Sequence, residues 1–212
     1  MNEDLEIRFL GQSGFLLKTP NYAVLIDPRD KTAGKHDGDI LYCTHYHSDH
    51  TGGVDVFLKR NPDALFICNE QVADRYEQWQ DQIRTVEDGE HLTEGDLHFI
   101  FTKMRHGLFS GVENYGVEIQ FDTFKFGHCG DAKEFGAFAG RALDVLAVPI
   151  SGVFAASPTK VYDTLEKFDP FPSVIVPMHW LVRRPGSFCK NFHKRFPAQR
   201  CVIPEDGEIL PI

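Results

Sequence analysis

The run His45-Tyr46-His47-Ser48-Asp49-His50 constrains this chain more than any other stretch, because it packs four candidate ligands into six residues. It follows Asp39 to Thr44, a largely apolar segment that reads as a buried strand. His45 and His47 stand two apart, so continued strand geometry projects both imidazoles from one side, while Asp49 and His50 lie beyond, where the chain must turn. Gly52-Gly53 then opens a helical segment from Val54 to Arg60. Two ligand pairs so placed can face two adjacent ions, and imidazole with carboxylate suits zinc, manganese or iron. A lone histidine is usually polar surface. With 10 histidines in 212 residues, three at fixed offsets beside an aspartate arise by chance on the order of once in a thousand such chains.

The rest of the chain supplies a mixed α/β context. Glu6 to Leu10, Gly14 to Thr19 and Tyr22 to Asp27 read as an antiparallel meander, with turn signals at Gly11 and Pro20-Asn21. Ala64 to Cys68 is a further strand and Glu70 to Gln80 a polar helix; Asp96 to Met104 and Gly116 to Phe126 resume strand character. Leu143 to Ile150 is a continuous apolar strand, Ser157-Pro158 provides an N-cap and a first-turn proline for a helix to about Phe168, and Ser173 to Met178 is strand again. Two strand-rich halves with helices after the strands predict an α/β (α+β) fold, a four-layer αββα sandwich, as a single domain over residues 1–212.

Composition narrows the function. The formal charge of -9 disfavours a broad nucleic-acid groove and favours a small-molecule substrate. The most apolar stretch, Val145 to Ala156, is broken by Pro149 and Gly152 and is too short for membrane insertion. The acidic start Met1-Asn2-Glu3-Asp4 lacks the features of a signal peptide. The five cysteines are odd in number, scattered and never spaced as Cys-x-x-Cys, which fits a reducing cytoplasm. No heptad or apolar stripe declares an oligomeric state.

The spacing His-x-His-x-Asp-His followed by Thr51-Gly52-Gly53 resembles the signature of the metallo-β-lactamase superfamily. Ile26-Asp27-Pro28, His106, Gly130-Asp131 and Pro177-Met178-His179 resemble its other motifs, in order. Gly11-Gln12-Ser13-Gly14-Phe15, His128-Cys129-Gly130-Asp131 and Val148-Pro149-Ile150-Ser151-Gly152 are similar to a small branch of metal-dependent hydrolases related to ascorbate-6-phosphate lactonase. Val153-Phe154-Ala155 and Cys129 depart from that branch's usual pattern, which puts the substrate pocket in question.

The resemblance implies the sandwich fold and a ligand set. His45, His47 and His106 would bind one divalent ion, Asp49, His50 and His179 the other, and Asp131 would bridge them. Zinc is the expected metal, with manganese or iron also suited. The implied chemistry is hydrolysis of a small, anionic ester, lactone or phosphodiester by hydroxide held between the metals. Asp49 would hold the hydroxide's proton, and His179 is the candidate for leaving-group protonation. Asp27 either caps a turn or supports the ligand loop, and His128 either orients Asp131, lines the pocket or is structural. Arg183 and Arg184 are candidates for an anionic substrate group. Phe109, Phe154 and Trp180 either wall the pocket or pack in the core, with core packing the simpler reading, and His36, His91, His98 and His193 read as structural or surface. Alternatives within the same superfamily are a di-iron redox enzyme and a nucleic-acid phosphodiesterase.

Overall fold

The computed structural model describes residues 5–107, 111–180 and 185–212. The chain divides into two compact units, residues 1–87 with 204–211, and residues 88–203 with 212.

Among the described residues, the first unit carries a six-stranded sheet in sequence order: β1 (Glu6–Phe9), β2 (Phe15–Lys18), β3 (Ala23–Ile26), β4 (Ile40–Cys43), β5 (Leu65–Cys68) and β6 (Ile83–Thr85). β1–β2 and β2–β3 pair antiparallel, as the meander reading expects, and the pairings from β3 to β6 are parallel. Every residue of β4 is buried, the mark of a central parallel strand covered on both faces. Parallel pairing needs crossovers. After the single turn α1 (Ser48–Thr51), the helix α2 (Val54–Arg60) lays Val54, Phe57 and Leu58 on Leu16, Leu25, Leu41 and Phe66.

The expected helix over Glu70 to Gln80 is replaced by α3 (Glu70–Ala73), a 3-10 turn at Glu77–Trp79, and then β6. Asn69 caps α3 by accepting from the Val72 amide at 3.1 Å. Tyr76 then donates to the Thr51 carbonyl at 3.0 Å and the Trp79 indole to Asp55 at 2.8 Å. Those tertiary anchors outweigh the helical tendency of the segment.

The second unit's sheet runs in the order β13-β12-β11-β10-β9-β8-β7. Its strands are β7 (His91–Glu94), β8 (Leu97–Arg105), β9 (Glu113–Phe121), β10 (Phe124–His128), β11 (Val145–Pro149), β12 (Val174–Met178) and β13 (Arg200–Cys201). The strand expected over Gly116 to Phe126 is therefore a hairpin. Asp122 takes φ 53°, a left-handed conformation aspartate tolerates better than most residues, and Phe121 pairs directly with Phe124. The helix α4 (Pro158–Leu165) starts where expected, with the Ser157 hydroxyl accepting from the Lys160 amide at 3.2 Å.

A last helix, α5 (Pro185–Arg195), is joined to β13 by a Cys189–Cys201 disulfide. This pairing runs against the reading of the scattered cysteines as fitting a reducing cytoplasm, and the cytoplasmic location drawn from them loses that support. The pairing escaped sequence reading because only the fold brings a helix and an edge strand twelve residues apart together. Cys43, Cys68 and Cys129 are free and buried. Among the described residues, no helix is long and apolar enough to cross a membrane.

Candidate metal centre

In the first unit the ligand run begins as β4 ends. His47 is the N-cap of α1, whose one turn carries Asp49 and His50. The two glycines that follow are required by close backbone approach. A β-carbon on Gly52 would lie 2.4 Å from the Arg29 carbonyl oxygen, and one on Gly53 would lie 2.6 Å from that of Asp30. The ligand turn is thereby pressed onto the loop that follows Asp27.

Asp27 organises this half. It is fully buried, with φ 45°, a strained setting of the kind that accumulates at functional sites. One carboxylate oxygen accepts from the Thr44 amide at 2.8 Å; the other accepts from the Thr44 hydroxyl at 2.8 Å and from His50 Nδ1 at 2.7 Å. A carboxylate only accepts, so Nδ1 of His50 carries a proton, and in the neutral ring Nε2 is the nitrogen with the lone pair. That Nε2 lies 3.4 Å from the Ser13 hydroxyl and 3.8 Å from Asp49 Oδ2.

The Thr44 hydroxyl has given its proton to Asp27, so its oxygen accepts from His45 Nδ1 at 3.0 Å. His45 Nε2 is then also a lone pair, 3.0 Å from His47 Nδ1. One buried carboxylate thus sets the tautomer of two rings, the arrangement that outer acceptors give metal-ligating histidines. Asp49 is half-exposed and accepts from the Gln12 amide at 3.1 Å.

In the second unit β8, β10 and β12 run in one direction, since β9 pairs antiparallel with both β8 and β10 and the pairings from β10 to β12 are parallel. His106, Asp131 and His179 all lie just past the C-terminal ends of these strands, the edge at which open α/β sheets present their reactive groups. Asp131 Oδ2 is 3.2 Å from His179 Nε2 and 3.8 Å from His106 Nε2. All three residues are at most 4% exposed. His179 takes φ 50°, so its ring departs from the path the strand would have given it.

The Asp131 amide donates to Asn114 Oδ1 at 2.9 Å, and Asn114 Nδ2 donates to the Cys129 carbonyl at 3.0 Å, clamping the turn that carries the carboxylate. His128 Nδ1 accepts from the Gly130 amide at 3.1 Å and so shapes the same turn through its backbone.

Sequence reading assigned no role to Gln12, Ser13, Thr44 or Asn114. Gln12 and Ser13 sit in a stretch noted only for its resemblance, and nothing about Asn114 in the sequence points to Asp131. Arg183, Arg184 and Phe109 lie outside the described residues. Phe154 is 40% exposed, which corrects its reading as core packing. His91, His98 and His193 are exposed and His36 half-buried, outside either donor set.

Residues 6–179 match the β-lactamase superfamily domain, a span that ends on His179 and contains every donor described above. The chain belongs to the β-lactamase superfamily. Within reach of it is a UPF0173 metal-dependent hydrolase of Thermococcus onnurineus, 25% identical over 227 residues that cover 98% of this chain and 100% of the relative. Among solved structures, Igni18, a novel metallo hydrolase from Ignicoccus hospitalis, superposes with TM-score 0.80 at 23% identity, covering 97% of each chain. The metallo-β-lactamase fold protein YhfI of Bacillus subtilis superposes at 0.82 and 13% identity, over 97% of this chain and 98% of its own. This superfamily member therefore has the metallo-β-lactamase α/β fold that its motif order led one to expect.

Proposed function

We propose that this superfamily member is a metal-dependent hydrolase, a single domain that works with a pair of divalent cations. His45, His47 and His106 would hold one cation and Asp49, His50 and His179 the other, with Asp131 shared between them. The observation that carries this reading is the chain of bonds ending on Asp27, from His50 Nδ1 directly and from His45 Nδ1 through the Thr44 hydroxyl, which in the neutral rings turns Nε2 of both toward a cation. Uncharged imidazole nitrogens gathered with carboxylates are the donors that zinc prefers, with manganese and iron close behind.

Such a pair of cations supplies an activated water at neutral pH and stabilises the charge that develops on the substrate. The chain's own residues position and move the protons. Asp49 is the acceptor for the water's proton, and its Oδ2 is held in place by the Gln12 amide. His179, whose Nε2 lies 3.2 Å from Asp131 Oδ2, would give the leaving group its proton from the ring nitrogen that does not hold the cation.

Two divalent ions, offset by the carboxylates of Asp49 and Asp131 and by one hydroxide, would leave the centre with about one net positive charge. A small anionic ester, lactone or phosphodiester is the substrate class that this charge favours on a chain of net charge -9. The lactone option rests on the resemblance of Gly11 to Phe15 and Val148 to Gly152.

The test combines elemental analysis with turnover. Purified protein is expected to carry about two transition-metal ions per chain and to lose hydrolysis of ester, lactone and phosphodiester reporters on chelation. Asp49→Ala should lower kcat by about 10²- to 10⁴-fold with an unchanged far-UV spectrum. Unchanged kcat in that variant would remove Asp49 from the reaction, and metal-free protein that still turns over would overturn the centre.

A further inference from the structure

Among the described residues the exposed large hydrophobics are Val153 (52%), Phe154 (40%), Ile203 and Ile209. The first two are adjacent, and they stand on the loop that leaves β11 in the second unit. That loop is held by its backbone. Gly152 turns it with φ 82°, and its amide donates to the Ala156 carbonyl at 3.1 Å. The Ala155 amide donates to the Ser151 hydroxyl at 3.0 Å, and the Ala156 amide to the Ala132 carbonyl at 3.0 Å.

Two of the loop's contacts fall on residues next to the candidate ligands. Ala132 follows Asp131 and forms a β-bridge with His106. Gly107 follows His106, and a β-carbon there would lie 1.5 Å from the Phe154 carbonyl oxygen, so the Phe154 peptide rests on Gly107 itself. The interior of the loop is filled by Ala155 and Ala156, both fully buried. Backbone groups and two alanines therefore account for the loop's conformation, and polar side chains at 153 and 154 would serve it equally well. Val153 and Phe154 thus form an adjacent pair of water-facing apolar side chains on a loop whose backbone is fixed against the residues that follow His106 and Asp131.

We propose that Val153 and Phe154 receive the apolar, non-reacting part of the substrate, so that the site prefers an acyl or alkyl chain of several carbons over a short one. This rests on the hydrolytic reading of the site and deepens it: the substrate joins a reacting polar head to an apolar tail. Binding energy gathered on the tail is then available to orient the head against His106, Asp131 and His179.

The experiment compares the parent, a Val153→Ser/Phe154→Ser double variant and Ile203→Ser, all metal-loaded, on 4-nitrophenyl acetate, butyrate and octanoate. The parent is expected to show higher kcat/KM on octanoate than on acetate. The double variant should lose about tenfold of that ratio, the scale on which a hydrophobic pocket discriminates by chain length. Ile203→Ser, on an exposed hydrophobic that is not part of this loop, should keep the parent's ratio. An unchanged ratio in the double variant, with metal content and far-UV spectrum equal to the parent's, would overturn the proposal, as would equal losses on all three esters. Calorimetric binding of octanoate against acetate tests the apolar surface without turnover: tighter octanoate binding in the parent that disappears in the double variant supports it, and equal binding of the two acids overturns it. Absence of turnover on every ester would count against the hydrolytic reading alone.

Discussion

In the first unit four donors sit within six consecutive residues, and a single carboxylate, Asp27, sets the tautomer of two of them. In the second, three donors come from the ends of β8, β10 and β12, far apart in sequence. Local geometry makes the first set: a strand end, an N-cap and one helical turn. Sheet register makes the second, with Asn114 clamping the turn that carries Asp131. The first half is therefore tuned by a proton network, and the second by the stability of a sheet edge. Perturbing the two should separate metal affinity from folding.

The largest effect is expected from Asp27→Asn, which suits the left-handed backbone at this position but cannot accept all three of Asp27's bonds. Metal affinity should fall by about 10- to 100-fold, as for other outer acceptors of ligating histidines, read by competition with a chromophoric chelator. Affinity within a few-fold of the parent would break the comparison, because the proton network would then not govern the first half. Asn114→Ala comes next. It removes two buried hydrogen bonds and should cost about 1–3 kcal/mol of stability in denaturant unfolding, with a smaller loss of metal affinity than Asp27→Asn. The reverse pattern, affinity lost and stability kept, would make Asn114 a ligand-orienting residue and erase the contrast.

The smallest effect is expected from Gln12→Ala. Its bond to the half-exposed Asp49 is worth about 0.5–1.5 kcal/mol, so kcat should fall several-fold with only a small shift of the unfolding midpoint, while metal content stays at the parental value. A matching fall in metal content would place Gln12 among the groups that position the cation rather than the proton.

Much of this site is legible in the sequence, unevenly between the halves. The run His45 to His50 declares itself because its geometry is local, and the aspartate at the end of β3 is visible as a motif, although its bonds to Thr44 and His50 are not. His106, Asp131 and His179 are recognisable only through resemblance, since no spacing rule links residues on three strands. Gln12 and Asn114 are missed for the same reason: each acts across a turn or a strand pair on a residue distant in sequence.

The fold divides similarly. The meander, the buried β4, the capped start of α4 and the apolar β11 and β12 follow from local pattern. The hairpin at Asp122 does not, because one residue's left-handed backbone decides it, and neither does β6, which exists because Tyr76 and Trp79 are anchored elsewhere in the unit.

By itself, the sequence determined that imidazoles and a carboxylate of metal-binding type stand in the run His45 to His50 at the end of a strand, since ligand identity and strand periodicity are written residue by residue. Tertiary structure decided which nitrogen of His45 and His50 is left to bind, what holds Asp131 in place, and that Phe154 faces water rather than a core. Those are properties of neighbours brought together by folding, and a hydrogen bond or a solvent-facing side chain is defined only once its neighbours are in place.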